Sequence, residues 1–360
     1  MDDEKAFGLG EKLELEFRSL DLLFQKAAAT SRDVLKERRV WFVRLKNNKG
    51  FFGIGEIAPI EGLSIERGAD VQMLLEGLAE SGLQRENFEK INLSFPSVRF
   101  GLEMALLQLS NGFQTSWFNG DFASGNKSIP INGLVWMNDC ETMMKEAEVL
   151  INRGFKCIKF KVGGQDFDDE LDMLQLFRAK NSSSNVSIRL DANGAFDPSD
   201  AGYKMRLLSK YNIHSIEQPV KPIHIDCLVE LCSEKIIPVA LDEQLIGHYN
   251  ENEKSKMLSS IKPAYIVLKP SLLGGFAECD EWIAIAHSLN IQWWVTSMLE
   301  SNVGLKAIAE WTASHDNRMH QGLGTGSLFS NNIQSSLFVQ DAHLTVDLNQ
   351  KDVFSNIFTL

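Results

Sequence analysis

The chain has 360 residues, 44% hydrophobic and 23% charged, which suits two or three domains with a large core and excludes a disordered or fibrous chain. Lys and Arg number 36 against 48 Asp and Glu, and the net charge of −12 excludes a basic surface for nucleic acid or anionic membrane. The cysteines lie outside any CxxC, the N-terminus Met1–Lys5 is acidic with no apolar export stretch behind it, and no apolar run spans a membrane, so a cytoplasmic protein without disulfides is expected.

Three β-like runs come first, at Leu13–Phe17, Val40–Leu45 and Phe51–Ile57. The turn-rich stretch Lys46–Gly50 predicts a hairpin between the second and third. Between the first two, Gln25–Arg39 is rich in small and charged residues and reads as a loop. Helical patterns follow Glu61–Ser64, the clearest over Val98–Leu109. Strands and helices in separate blocks predict an α+β domain over residues 1–128, ending in the Gly/Ser/Asn-rich stretch Asn119–Ser128.

From Ile129 onward short apolar strands alternate with helices. The strands are Ile131–Trp136, Cys157–Val162, Ser187–Asp191, Ser215–Glu217, Pro238–Asp242, Tyr265–Lys269, Trp293–Ser297 and His320–Leu323, with ends roughly every 25 to 30 residues. This pattern predicts an α/β barrel over residues 129–336. A doubly wound sheet is the alternative, but its Gly-rich turn after the first strand is missing. The run His343–Asp347, in a tail from 337 to 360, alternates again and is expected to return to the N-terminal domain.

Five of these strands carry a charge at or near the C-terminal end, where barrel active sites sit: Lys161, Asp191, Glu217, Asp242 and Lys269. Three carboxylates on successive strands, with no His or Cys beside them, suit Mg²⁺, with Mn²⁺ as a substitute. In Ile158-Lys159-Phe160-Lys161 the lysines are two apart and share one face. Lys269, from the sixth strand, stands across the barrel from them. A cation between opposed amines is a layout for moving a proton beside a carboxylate, with one neutral lysine as base. The bland alternative is that Lys159, Lys161 and Lys269 merely neutralise the carboxylates.

Lys159-Phe160-Lys161, Arg189-Leu190-Asp191-Ala192-Asn193, Ile216-Glu217-Gln218-Pro219, Leu241-Asp242-Glu243 and Lys269–Gly275 resemble the enolase superfamily, muconate-lactonising subgroup. Gly55–Pro59 and Phe100–Glu103 resemble its N-terminal cap, so the likeness covers nearly the whole chain. It implies a modified, TIM-like (β/α)7β barrel under an α+β capping domain completed by the C-terminal tail. Its specificity loops map to Ala27–Asp33 and Pro59–Ser64.

Within the subgroup, Thr296–Gly304 and Gly322–Phe329 resemble the o-succinylbenzoate synthases of menaquinone biosynthesis. Dipeptide epimerases typically carry Asp-x-Asp where this chain has Gly322-Leu323-Gly324-Thr325-Gly326, a loop better suited to an anionic tail. The resemblance implies a lyase that dehydrates a small carboxylate. Lys161 is its acid and base, Lys269 a stabilising cation, Lys159 the depressor of the Lys161 pKa, and Asp191, Glu217 and Asp242 the metal ligands. Ser297, Ser301, Gly324, Thr325 and Arg189 are substrate-binding candidates. Ser301 reads equally as a helix N-cap, and Arg189 as a core ion-pair partner. With lysines on both sides, an N-acylamino acid racemase or dipeptide epimerase is the alternative. A barrel that had lost its chemistry would lack a lysine or a carboxylate, and this chain has both sets. Oligomeric state stays open.

Overall fold

The computed structural model describes residues 12–29, 34–91, 94–112 and 116–359. The N-terminal stretch in which no export signal is expected therefore lies outside the described residues. Among those described, no helix is long and apolar enough to cross a membrane.

The N-terminal unit is an antiparallel sheet of β1 (Glu14–Ala29), β2 (Val34–Lys46) and β3 (Phe52–Ile57) in that order. The expected hairpin joins β2 and β3. Its turn is held by the Asn47 side chain, which accepts from the Lys49 and Phe51 amides at 3.1 and 3.0 Å. The loop expected over Gln25–Arg39 is instead mostly strand, with β1 running to Ala29 and β2 starting at Val34. Pairing continues through Leu23 with Glu37 and resumes, after a register shift, at Ala28 with Leu35. This ribbon is held by its backbone ladder while most of its side chains stay exposed, so it leaves no hydrophobic period to read. Of the expected specificity loop Ala27–Asp33, the part beyond Ala29 lies outside the described residues.

The helix Pro96–Ser110 crosses β3 with backbone against backbone. A Cβ on Gly55 would stand 1.8 Å from the Gly101 carbonyl oxygen, and a Cβ on Gly101 would stand 2.4 Å from Ile57. Only glycine permits this approach. The helix is buried nearly all round and seals a core of Trp41, Val43, Leu45, Leu75, Leu102 and Leu106.

After β4 (Ile129–Pro130) comes the parallel sheet: β5 (Gly133–Val135), β6 (Cys157–Lys161), β7 (Ser187–Asp191), β8 (Ile213–Glu217), β9 (Val239–Leu241), β10 (Tyr265–Leu268) and β11 (Gln292–Val295). They lie side by side in chain order with helices between them. The expected eighth strand is shorter than predicted, but it closes the ring. Gln321 donates to Pro130 O at 2.8 Å and accepts from Asn132 at 3.0 Å, while Gly322 donates to Val295 O at 2.7 Å and accepts from Ser297 at 3.2 Å. A Cβ on Gly322 would fall 2.4 Å from the Thr296 hydroxyl, so the closure depends on a glycine. The result is the barrel expected from the alternation.

The tail forms β12 (Leu337–Gln340) and β13 (His343–Val346), joined through Asp341 and Ala342 at φ 48° and 59°. Positive φ at both turn residues is the hairpin geometry that matches strand twist. Its β13 pairs with β4, so the alternating run adds no strand to the N-terminal sheet. The chain then reaches that unit by packing. Phe354 lies 5.9 Å from the Trp117 ring, and Arg44 lies over the Phe358 ring at 4.9 Å.

Candidate active site

Parallel pairing sets Lys161 beside Asp191, and Asp191 beside Glu217, at one level across three strands. Asp242 follows β9 by one residue, and Lys269 follows β10 by one. Alternation along β6 turns Lys159 inward as well, one layer deeper. All six side chains are buried. Two left-handed residues, Asn193 at φ 47° and Gln218 at φ 40°, turn the chain just past β7 and β8.

Lys159 Nζ donates to Glu217 Oε1 at 2.8 Å and Oε2 at 2.7 Å, and reaches Asp191 Oδ2 at 2.8 Å. Lys161 Nζ donates to Asp191 Oδ2 at 2.6 Å and to Asn193 Oδ1 at 2.7 Å. Lys269 is hydrogen-bonded to Asp242. Asn193 passes the network on, donating from Nδ2 to Glu243 Oε1 at 2.9 Å. The Gln218 side chain accepts from the Asp242 and Gln244 amides at 3.2 and 3.1 Å and so shapes the turn that carries Asp242. Asn193, Gln218 and Glu243 were not expected as site residues. Their sequence signal is their place inside the runs that resemble the superfamily, each directly after a carboxylate residue or two beyond one.

Three carboxyl groups face three lysine side chains, and their surroundings set them apart. Burial pushes Glu217 up, with repulsion from Asp191 and Asp242 adding to it, to about 8. Burial also opposes ionisation of Asp191, but Lys159 and Lys161 outweigh it and hold that carboxyl far below its usual range. Burial lowers Lys161 against the pull of Asp191, and the Lys159 charge lowers it further. For Lys159 and Lys269 burial acts the same way and loses. Asp191 and Glu217 hold Lys159 up, and Asp242 and Glu217 hold Lys269 up. Two amines across one floor thus differ in direction.

Above this floor lies a cavity of about 450 Å³, within the size range of small-ligand sites. Lys159, Lys161, Asp191, Asn193 and Lys269 form its base, and Ile60–Leu63 of the N-terminal unit its roof, as expected for the loop Pro59–Ser64. Ser297, Gly324 and Thr325 line the wall. The Ser297 hydroxyl donates to Glu300 Oε2 at 2.7 Å and accepts from Thr325 Oγ1 at 3.0 Å and from the Leu299 amide at 2.9 Å. Its donor and both lone pairs are engaged within the protein.

Two candidates lie elsewhere. Ser301 Oγ donates to Glu56 Oε2 at 2.6 Å and accepts from the Val303 amide at 3.2 Å, which makes it the N-cap of the helix Asn302–Ser314. Arg189 donates to His320 O at 2.8 Å, and its guanidinium lies 3.9 Å from the Trp294 ring centroid. Neither is among the residues that line the cavity. Arg189 points inward like Asp191, but two residues earlier on the strand puts it one layer down, in the aromatic packing.

Residues 142–350 match the family described as enolase C-terminal domain-like, and residues 21–109 match the MenC N-terminal domain. The chain belongs to the enolase superfamily. An o-succinylbenzoate synthase of Desulfotalea psychrophila is 40% identical over 93% of this chain and 99% of its own length. The crystal structure of MenC from Desulfotalea psychrophila superposes with a TM-score of 0.83 at 38% identity, covering 93% of this chain and all of that one. The muconate lactonizing enzyme of Pseudomonas fluorescens shares the fold, with a TM-score of 0.82 at 19% identity over 98% of this chain and 99% of its own.

Superfamily members work with a divalent metal ion. Among the described residues, no three His, Cys, Asp or Glu side chains stand as a ready-made metal group. Asp191, Glu217 and Asp242 are turned onto lysines instead. The donor chemistry nevertheless fits a hard divalent ion: three buried carboxylates with no competing thiolate or imidazole.

Proposed function

We propose that this protein is an o-succinylbenzoate synthase, a lyase that removes water from 2-succinyl-6-hydroxy-2,4-cyclohexadiene-1-carboxylate in menaquinone biosynthesis. The observation that carries the reading is the pair Lys161 and Lys269 beside a buried carboxylate cluster, beneath a cavity that a loop of the N-terminal unit roofs over. Likeness to the Desulfotalea psychrophila synthase over 93% of the chain supports the choice of reaction. Free cysteines support a reducing, cytoplasmic setting.

Asp191, Glu217 and Asp242 would hold Mg²⁺, with Mn²⁺ as a substitute, and the ion supplies positive charge at the substrate's ring carboxylate. Lys161, neutral when substrate arrives, takes the α-proton from ring carbon 1. Lys269 remains an ammonium and balances the negative charge that this leaves on the substrate. Lys161 then returns the proton to the hydroxyl on carbon 6, which departs as water from the same face. The ring becomes aromatic, and this drives the second step. Lys159 stays paired with Glu217 beneath Lys161, and its charge favours the neutral amine above it. The walls at Gly324 and Thr325 would receive the succinyl tail.

A second reading is favoured by one observation, that both amines are present at the cavity base. With a base on either side of an α-carbon, racemisation of an N-acylamino acid, or epimerisation of a dipeptide, uses the same floor. The test is a Mg²⁺-dependent assay of the purified protein on the cyclohexadiene carboxylate by ultraviolet absorbance, with N-succinyl amino acids alongside. Efficient dehydration with poor racemisation supports the synthase. Efficient racemisation with little dehydration overturns the substrate and leaves the proton chemistry in place.

A further inference from the structure

Arg38, on β2, is 6% exposed, and its guanidinium meets four backbone carbonyls. Nη2 donates to Ala58 O at 2.6 Å and Pro59 O at 3.1 Å, at the entry to the cavity roof. Nη1 donates to Leu299 O at 3.0 Å and to Met298 O, on the loop that leaves β11. Both loops line the cavity, through Ile60–Leu63 on one side and Met298 and Leu299 on the other. One planar cation therefore joins two loops that belong to different parts of the fold.

The loop after β11 is not held by local preference. Leu299 sits at φ 61°, a left-handed conformation that a leucine rarely adopts. Its own amide donates to the Ser297 hydroxyl at 2.9 Å, and two charged side chains hold its neighbours. Glu300 accepts from the Ser297 hydroxyl and from the Met298 amide at 2.7 and 2.8 Å, and Arg38 takes the carbonyls. Burial works against the Arg38 charge, and the Glu300 and Glu56 carboxyls counter part of that cost. The fork of N–H groups matters as much as the charge: Nη1 and Nη2 point at different loops, and a lysine ammonium has one centre from which to reach.

We propose that Arg38 is a positioning residue that pins the roof loop to the loop after β11, and so sets how tightly the cavity holds its substrate. The proposal rests on reading this cavity as the substrate site. Arg38 bonds none of the proposed reacting groups, so its loss should weaken the binding of substrate and transition state alike, which appears in KM with little change in kcat.

Steady-state kinetics of Arg38→Met and Arg38→Lys on the cyclohexadiene carboxylate, with hydrogen exchange over residues 58–63 and 296–300, test it. Arg38→Met should raise KM on the order of tenfold, the size of a lost charge-assisted bond, and leave kcat within about threefold. Arg38→Lys should fall between the variant and the parent. Both segments should exchange faster together. A folded Arg38→Met with unchanged KM, or with only one segment loosened, overturns the proposal, as does a lowered melting temperature with unaltered KM. If Arg38→Met does not fold, Arg38→Lys decides on the same readouts. Should the parent protein neither dehydrate nor racemise, the reading of the cavity has failed instead, and paired exchange of the two segments still decides whether Arg38 pins them.

Discussion

Asn193 Oδ1 accepts from Lys161 Nζ at 2.7 Å, so the amine proposed as the base is held at the cavity floor by a neutral group as well as by Asp191. The neutral partner fixes the position of the nitrogen without adding a second full charge that would keep it protonated. Lys161→Ala should therefore remove the base and leave the ligand carboxylates in place. Dehydration should fall by at least about a hundredfold, the usual range for a lost acid–base group. Mg²⁺ binding by calorimetry should stay within about twofold. A variant that keeps a tenth or more of the parent rate removes Lys161 from the role.

Asp242 serves two partners in the proposed mechanism, the metal ion and Lys269. Asp242→Asn keeps the shape and removes the charge, and should weaken Mg²⁺ affinity by roughly tenfold or more. Thermal unfolding gives an independent readout. At a hundredfold excess over its dissociation constant the ion should add about 2.7 kcal/mol to the parent protein, and much less to the variant at the same concentration. Superimposable Mg²⁺ titrations of the two proteins would take Asp242 off the list of ligands.

Glu103 joins the N-terminal unit to the barrel by accepting from the Phe276 and Ala277 amides at 2.7 and 3.0 Å. Burial pushes its carboxyl up from 4.5 to about 7, against those amides. The folded state thus binds this proton more tightly than the unfolded chain. Its contribution is fully present below about pH 4.5 and is lost as pH rises through about 7. The gap corresponds to on the order of 3 kcal/mol. Urea unfolding at pH 5 and pH 8 should show the parent losing more stability between the two than Glu103→Gln, by about that amount. Glu56 and Glu310, also raised to about 7, are present in both proteins and cancel. Equal losses in the two proteins would mean that Glu103 does not titrate as described.

Gly55→Ala tests the close crossing of β3 and the helix Pro96–Ser110. The added Cβ meets the Gly101 carbonyl oxygen at 1.8 Å, which backbone alone can relieve. The expected cost is about 2 kcal/mol or more, as for overpacking in a core, read by urea unfolding. An alanine variant as stable as the parent would show that the helix stands further from the strand.

The barrel was legible because buried strands carry their own signal. Short apolar runs recur at a steady spacing and end in Lys161, Asp191, Glu217, Asp242 and Lys269, so one phase relation points all five at one mouth. The Lys159–Lys161 pair was legible for the same reason, since alternation is a local property of a strand. The exposed ribbon of β1 and β2 left no such trace, because its order comes from a partner strand. Pairing of β13 with β4 was hidden too, since an alternating run shows that a strand exists without naming its neighbour.

The amino-acid order by itself determined the strand-end charges, the two-residue step of the lysines and the glycines at the crossings. Tertiary structure alone decided that Asn193 holds Lys161, that the Ser297 hydroxyl is already engaged, that Ser301 caps a helix on Glu56, and that Arg189 lies under the site. It also decided that Arg38 reaches Met298, 260 residues away. The physical reason is the same throughout. Period and turn chemistry act between near neighbours in the chain, whereas a hydrogen bond across the fold depends on where two unrelated segments are packed.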